Sequence, residues 1–209
     1  MSGKIQHTDS ESLFDLVRDE ARANNMDKQS TEARRWFFSL RKRLTSVSRT
    51  RLLKDERNIN RQSRFTKSIM GRMVMFFYVP KHSKTLPYYD TFPLVIPIGP
   101  GKTKGSFLGL NLHYLHPMAR AKFLDSLLDL ANNKNMTDRT KLRVTYNVLQ
   151  SASKYRYFKP ALKMYLNSHV DSQIVTIKPE DWRIAIFLPT EQFNKASRTK
   201  VWSESKKKR

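Results

Sequence analysis

The chain has 209 residues, 39% of them hydrophobic, and carries forty Lys and Arg against eighteen Asp and Glu, a net charge of +22. It contains no cysteine, which excludes a disulfide framework, a thiolate nucleophile and a cysteine-ligated zinc. No apolar run approaches the ~18 residues of a membrane span, and the N-terminal Met1-Ser-Gly-Lys-Ile-Gln-His-Thr-Asp lacks the apolar stretch of a signal peptide.

Residues 9–24 predict a first helix. Asp9 or Ser10 can cap it, acids occupy its first turn, and Leu13, Leu16 and Val17 form a narrow apolar stripe. Ser30 then caps a second predicted helix. Its apolar face is Trp36, Phe37, Leu40, Leu44 and Val47, spaced i, i+1, i+4, i+8 and i+11. Arg34, Arg35, Arg41, Lys42 and Arg43 cover the rest. Residues 48–72 carry an arginine every few positions, among them Arg49, Arg51, Arg57, Arg61 and Arg64, with little apolar content. Such a composition is compatible with disorder in isolation and with ordering as an arm in an assembly. Arginine suits phosphate because its planar fork binds two oxygens at once.

The texture changes at Met73. "MVMFFYV" predicts a buried strand, and "PKHSKTLPYYD" a turn-rich connector punctuated by Pro80 and Pro87. Two further strands, 93–98 and 106–112, flank "GPGKTKG". The Gly101-Lys102-Thr103 triplet ends like a phosphate-binding P-loop. The first glycine of that motif is missing, because Ile96 stands there, and a strand rather than a helix follows. The stretch is read as a hairpin tip, with Lys102 and Lys104 able to touch a phosphate. A helix over 117–131 follows, with Pro117 in its first turn and Phe123, Leu124, Leu127, Leu128 and Ala131 on one face. Another opens at Thr137 or Asp138. Pro160 begins a short predicted helix to about Ser168, 173–177 is a strand, and Pro179-Glu-Asp opens a helix that Pro189 stops. A last short helix is expected from Thr190.

Little of this is catalytic chemistry. His113 and His116 are the one closely spaced histidine pair, but they lack a third ligand and the i, i+4 spacing of a helical zinc site. A structural or capping role fits them better. Only eight acids lie within residues 73–194, without the tight cluster that a metal-dependent nuclease needs. Asp125 and Asp129 are expected to face solvent. Lys154-Tyr-Arg156-Tyr-Phe-Lys159 interleaves cations with rings. That pattern serves base stacking, or equally a loop whose rings tuck into the core. Tyr88-Tyr89-Asp90 favours the core.

The fold class expected is α+β: a small antiparallel sheet with a hairpin packed against several helices, plus an Arg-rich helical N-terminal extension. The divisions are 1–72 extension, 73–194 compact domain and 195–209 basic tail, which ends Lys206-Lys207-Lys208-Arg209. Residues 30–72 hold thirteen basic and three acidic groups, and residues 195–209 seven and one. A cationic stripe and tail fit double-stranded DNA, or acidic neighbours in an assembly. No helix-turn-helix or zinc finger is legible, so base-specific readout is not expected.

Four strings, "FFYVPKHSKTLPYYDTFPLVIPI", "GSFLGLNLHYLHP", "SASKYRYFKPALKMYLNSHV" and "FLPTEQFNKASRTKVWSES", resemble a family of small basic virion proteins of contractile-tailed phages, the DNA end protectors. The resemblance spans about residues 46–206 and leaves 1–45 unmatched. It implies a non-enzymatic protein, made in the host cytoplasm and carried in the virion, that shields the ends of packaged DNA. It brings no catalytic residues, cofactor, metal or small-molecule substrate. The competing expectation is a structural piece of the neck, tail or baseplate, whose basic arm docks on neighbouring virion proteins with Trp36 and Phe37 as anchors.

Overall fold

A computed structural model describes residues 60–62, 69–131, 158–178 and 181–207, together with Ala23 and Arg35 as helical positions. The described part is built on a six-stranded antiparallel sheet in the order β1-β7-β2-β4-β5-β6. These strands are β1 (Asn60–Gln62), β2 (Met73–Met75), β4 (Leu94–Pro100), β5 (Ser106–Asn111), β6 (Leu162–Leu166) and β7 (Ile174–Ile177). A separate ribbon pairs β3 (Tyr89–Asp90) with β8 (Phe193–Asn194). Three α-helices accompany them: α1 (Pro117–Ala131), α2 (Trp182–Phe187) and α3 (Arg198–Lys207). The described part is α+β, as expected.

Side chains alternate across a strand, and the sheet uses that alternation to build two cores. Met73, Met75, Leu94, Ile96, Leu110 and Ile177 face the helices and pack with Leu124, Leu127, Trp182 and Phe187. Val74, Phe76, Val95, Phe107 and Ile174 face the other way and join Tyr78 and Tyr165. This second core is aromatic. Phe76 meets Tyr165 edge-on at 5.3 Å, and Tyr165 stacks on Phe107 at 5.2 Å between centroids. With both faces covered, the central strands read as continuous apolar runs.

The hairpin of β4 and β5 forms as the sequence predicts. Pro97 is tolerated inside β4 because the register shifts between Pro97 and Gly99, a bulge that needs no ladder donor there. The 117–131 helix also forms over its predicted span. His116 caps it: its carbonyl accepts from Ala119 N at 2.8 Å, and its Nδ1 accepts from Met118 N at 3.3 Å. The strand at 174–177 and the helix before Pro189 stand where expected. Leu188 is extended, as the residue before a proline prefers.

Several elements differ from expectation. The strand begun at Met73 ends at Met75, because the next amides leave the ladder. Phe77 N donates to Ser172 Oγ at 2.8 Å and Tyr78 N to Thr91 O at 3.0 Å. Residues 160–168 are not a helix. Lys159–Ala161 and Asn167–His169 are single 3₁₀ turns, and between them β6 pairs five residues with β5. The open edge of β5 offers a whole ladder, which outweighs the helical propensity of Ala161, Leu162, Lys163 and Met164. The final helix starts at Arg198 rather than Thr190, because Phe193 and Asn194 first pair with β3. Strand β1 lies inside the 48–72 stretch, where none was expected, and pairs with β7. Asp125 is half-buried rather than solvated. The predicted helix from Thr137 or Asp138 lies outside the described residues, as do the first two helices apart from Ala23 and Arg35.

Candidate nucleic-acid interface

The hairpin tip is a tight loop that presents charge. Gly101 N donates to Ser106 O at 3.0 Å and Ser106 N to Thr103 O at 3.1 Å. Gly105 takes φ +76°, which glycine adopts without a Cβ penalty. A Cβ on Gly101 would run into the Ser106 side chain. These constraints explain both glycines without a bound phosphate. The loop leads into strand β5, so it is not a P-loop. Lys102 and Lys104 are exposed on either side of Thr103.

Thr103 also lines a cavity of about 400 Å³ beside the hairpin. Its walls are the rings of Tyr78, Tyr88, Tyr114 and Tyr165, with Lys81, His82 and Lys163 among its charged and polar lining. Lys163 Nζ stands 4.0 Å from the centroid of Tyr114, a cation–π contact. The rings are fixed through their hydroxyls. Leu166 N donates to the Tyr78 oxygen at 3.1 Å, Tyr88 bonds the Glu204 side chain, and Tyr165 bonds Asn111. Burial is the main force raising all four phenol pKa values above the usual 10. For Tyr88 the value is pushed up to about 12, with the Glu204 hydrogen bond and charge adding to burial. The rings are therefore neutral at physiological pH.

The wall carrying His82 and Leu86 is held from a distance. Lys195 Nζ donates to the carbonyls of Ser83 at 2.6 Å, Lys84 at 2.8 Å and Leu86 at 3.2 Å. Lys195 adopts φ 66°, uncommon for a residue with a side chain, and these three bonds offset that cost.

Beneath the cavity lies a buried polar network. Asp90 Oδ2 accepts from Asn111 Nδ2 at 3.1 Å and faces His113 Nδ1 at 2.7 Å. Its Oδ1 accepts from Phe92 N at 3.1 Å and Gln192 N at 3.4 Å. The other His113 nitrogen lies 3.2 Å from Thr190 Oγ1. Asp90, His113 and Thr190 have the order of a hydrolytic triad, but their exposures are 4%, 0% and 2%. No substrate reaches that hydroxyl, and the array instead ties β3, β5 and the C-terminal segment together. His113 is thus structural and His116 a cap, the reading their spacing favoured. Among the described residues, no group of three His, Asp or Glu is placed to hold a metal.

A second buried polar group sits beside it. Arg120 has no solvent exposure. Its guanidinium donates to Leu115 O at 2.8 Å, Ile186 O at 3.1 Å, His113 O at 3.3 Å and Glu191 Oε1 at 2.5 Å. Trp202 of α3 donates to the same His113 carbonyl at 2.9 Å. Together with buried Val201, this bond docks α3 and sets where its basic end lies.

Of the cations expected to bind a partner, Arg35 is helical and exposed, and Lys102, Lys104, Lys206 and Lys207 are exposed. Lys206 and Lys207 occupy the last turn of α3, where positive charge suits the helix dipole. Arg61 lies in β1. Arg34, Arg41, Lys42, Arg43, Arg49, Arg51, Arg57, Arg64, Lys154, Arg156, Lys208 and Arg209 lie outside the described residues, as do Trp36 and Phe37. Phe158 packs on Phe123 at 4.8 Å between centroids, so the basic-aromatic stretch sends at least this ring into the core. The tyrosine cavity was not foreseen. Its one local signal was Tyr88-Tyr89 beside Lys81 and His82, and the remaining walls come from distant strands.

No curated protein sequence and no solved structure matches the chain. Residues 12–207 match a family described as Phage T4 terminal DNA protecting protein. The match begins well before residue 46, so it also takes in most of the N-terminal segment that carries no resemblance by inspection. With nearly the whole length matched, the chain belongs to the family of Phage T4 terminal DNA protecting proteins.

Proposed function

We propose that this chain binds the ends of packaged double-stranded DNA in a phage particle and shields them from exonuclease, without catalysing a reaction. Family membership carries the reading, and the concentration of charge in residues 30–72 and 195–209 supports it. The mechanism is electrostatic. Arginines and lysines neutralise phosphates and release their counterions, a term that carries no sequence information. The exposed lysines of the hairpin tip and of the α3 terminus extend the cationic surface onto the folded body. A protein seated over a terminus also denies an exonuclease the end it must thread.

Binding to linear and to closed circular DNA, titrated in salt, tests the reading. If about six phosphates are neutralised, affinity falls roughly a thousandfold between 50 and 200 mM salt. Preference for linear DNA, with protection from an exonuclease, is the expected result. A steep salt slope without end preference reduces the claim to a general DNA-binding surface. Weak binding at low salt overturns it and turns the same cations toward acidic neighbours in the neck, tail or baseplate.

A further inference from the structure

We infer that the tyrosine cavity beside the hairpin holds the unpaired terminal nucleotide of a DNA strand. The inference rests on the end-protection reading and gives it a specific contact. The volume of about 400 Å³ falls within the roughly 300–1,000 Å³ of small-ligand sites. It is too small for a stacked duplex end, so the base must leave the helix to enter, as it does in enzymes that extrude a nucleotide.

The lining matches the two halves of a nucleotide. Tyr88 and Tyr114 pack on each other, 6.1 Å apart between centroids and tilted by 34°, and Lys163 covers the Tyr114 ring, so a flat base would stack on the half-buried Tyr88 rather than between the two rings. Lys81 and Lys163 line the same cavity, and Lys102 and Lys104 flank Thr103 in its wall, so cations stand where a phosphate would follow. Among the described residues that line the cavity, Asp90 is the one carboxylate. Each of its oxygens already has two partners in the protein, and it is 4% exposed. The tyrosine hydroxyls are held within the protein and remain protonated, so the rings add no negative charge of their own, and the nearby Glu204 carboxylate is engaged by Tyr88. The same bonding leaves Asp90 and Asn111 little capacity to read a base edge. The site therefore takes any base.

The test uses the full chain and a short linear duplex whose single unpaired terminal nucleotide is a fluorescent adenine analogue quenched by stacking. A duplex with an abasic terminal residue and a dumbbell with both ends closed are the comparisons. The wild type should quench the analogue and bind the abasic end roughly five- to a hundredfold more weakly. Tyr88→Ala, at a half-buried wall position, should abolish both the quenching and the base dependence. Met164→Glu provides a second variant that leaves the core intact, because Met164 lines the cavity and is 46% exposed. Its carboxylate should also lower the preference for the open end over the dumbbell. If the wild type prefers open ends but both variants keep quenching and base dependence, the cavity is not the nucleotide's seat and the end-protection reading stands. If the wild type binds open and closed DNA equally, both readings fall.

Discussion

Replacing Arg120 with methionine is the sharpest test of how the C-terminal half is held. The guanidinium is sealed from water and donates to three carbonyls, from Leu115, Ile186 and His113, and to Glu191. The Glu191 side chain has no exposure either. After Arg120→Met, the nearest described guanidinium is that of Arg198, 3.7 Å from the other Glu191 oxygen and 44% exposed. A pair that reaches into solvent is screened and compensates weakly. Removing one member of a buried pair costs about 3–5 kcal/mol, mostly by stranding the other charge. That is a large part of the roughly 5–15 kcal/mol that holds a domain folded. Adding Glu191→Leu removes the stranded charge, so the double variant should recover at least about 2 kcal/mol over Arg120→Met alone. Urea denaturation followed by circular dichroism measures all three proteins. An Arg120→Met protein within about 1 kcal/mol of wild type would refute the reasoning. So would a double variant less stable than the single.

Three further outcomes are expected. Gly109→Ala should cost about 1–3 kcal/mol of stability, seen as a lower urea midpoint at unchanged slope, because a Cβ there collides with the Cγ1 of fully buried Val95; an unchanged midpoint would show that β4 yields. Burial, aided by the negative charge of Asp90, holds the Tyr114 and Tyr165 hydroxyls protonated well above their ordinary range. The unfolded chain loses those protons near pH 10 while the folded chain keeps them. Stability is therefore full below about pH 10 and falls above it, by about 1.4 kcal/mol per pH unit for each tyrosine. Urea midpoints that stay flat from about pH 9.5 to 11 would contradict this. Lastly, on the proposed reading, Lys102→Ala with Lys104→Ala should reduce the slope of log affinity against log salt by about one to two, measured by fluorescence anisotropy.

Elements with strong local signals were legible in the sequence. The hairpin follows from two apolar runs around Gly101 and Gly105, the long helix from Pro117 and an i, i+3, i+4 stripe, and β7 from a β-branched run. Strand β6 was hidden because Pro160-Ala-Leu-Lys-Met reads locally as a helix start, and only the distant edge of β5 makes it a strand. Strand β1 was hidden inside an arginine-rich stretch, since three residues are too short for a periodicity. Arg120 left a trace that passes unnoticed: it stands three and four residues before Phe123 and Leu124, on their apolar face. An arginine on such a stripe needs a buried acceptor, and Glu191 lies 71 positions away. The cavity shares that obstacle, because its tyrosines come from four separate stretches of chain. The cations were legible as composition, since charge needs no fold to be counted.

The Lys195 amine bears on how contacts to this protein would be mapped chemically. An amine whose hydrogens are engaged by three carbonyls must break those bonds before it can turn toward an acylating reagent. In a lysine-labelling footprint, Lys195 should therefore stay dark whether or not a partner is bound, while Lys102 and Lys104 label freely and fade on contact. Labelling at Lys195 instead reports that the 83–86 loop has come away from its anchor. One reagent thus distinguishes occupancy of the surface from loosening of the cavity wall, with Lys195 as the built-in control.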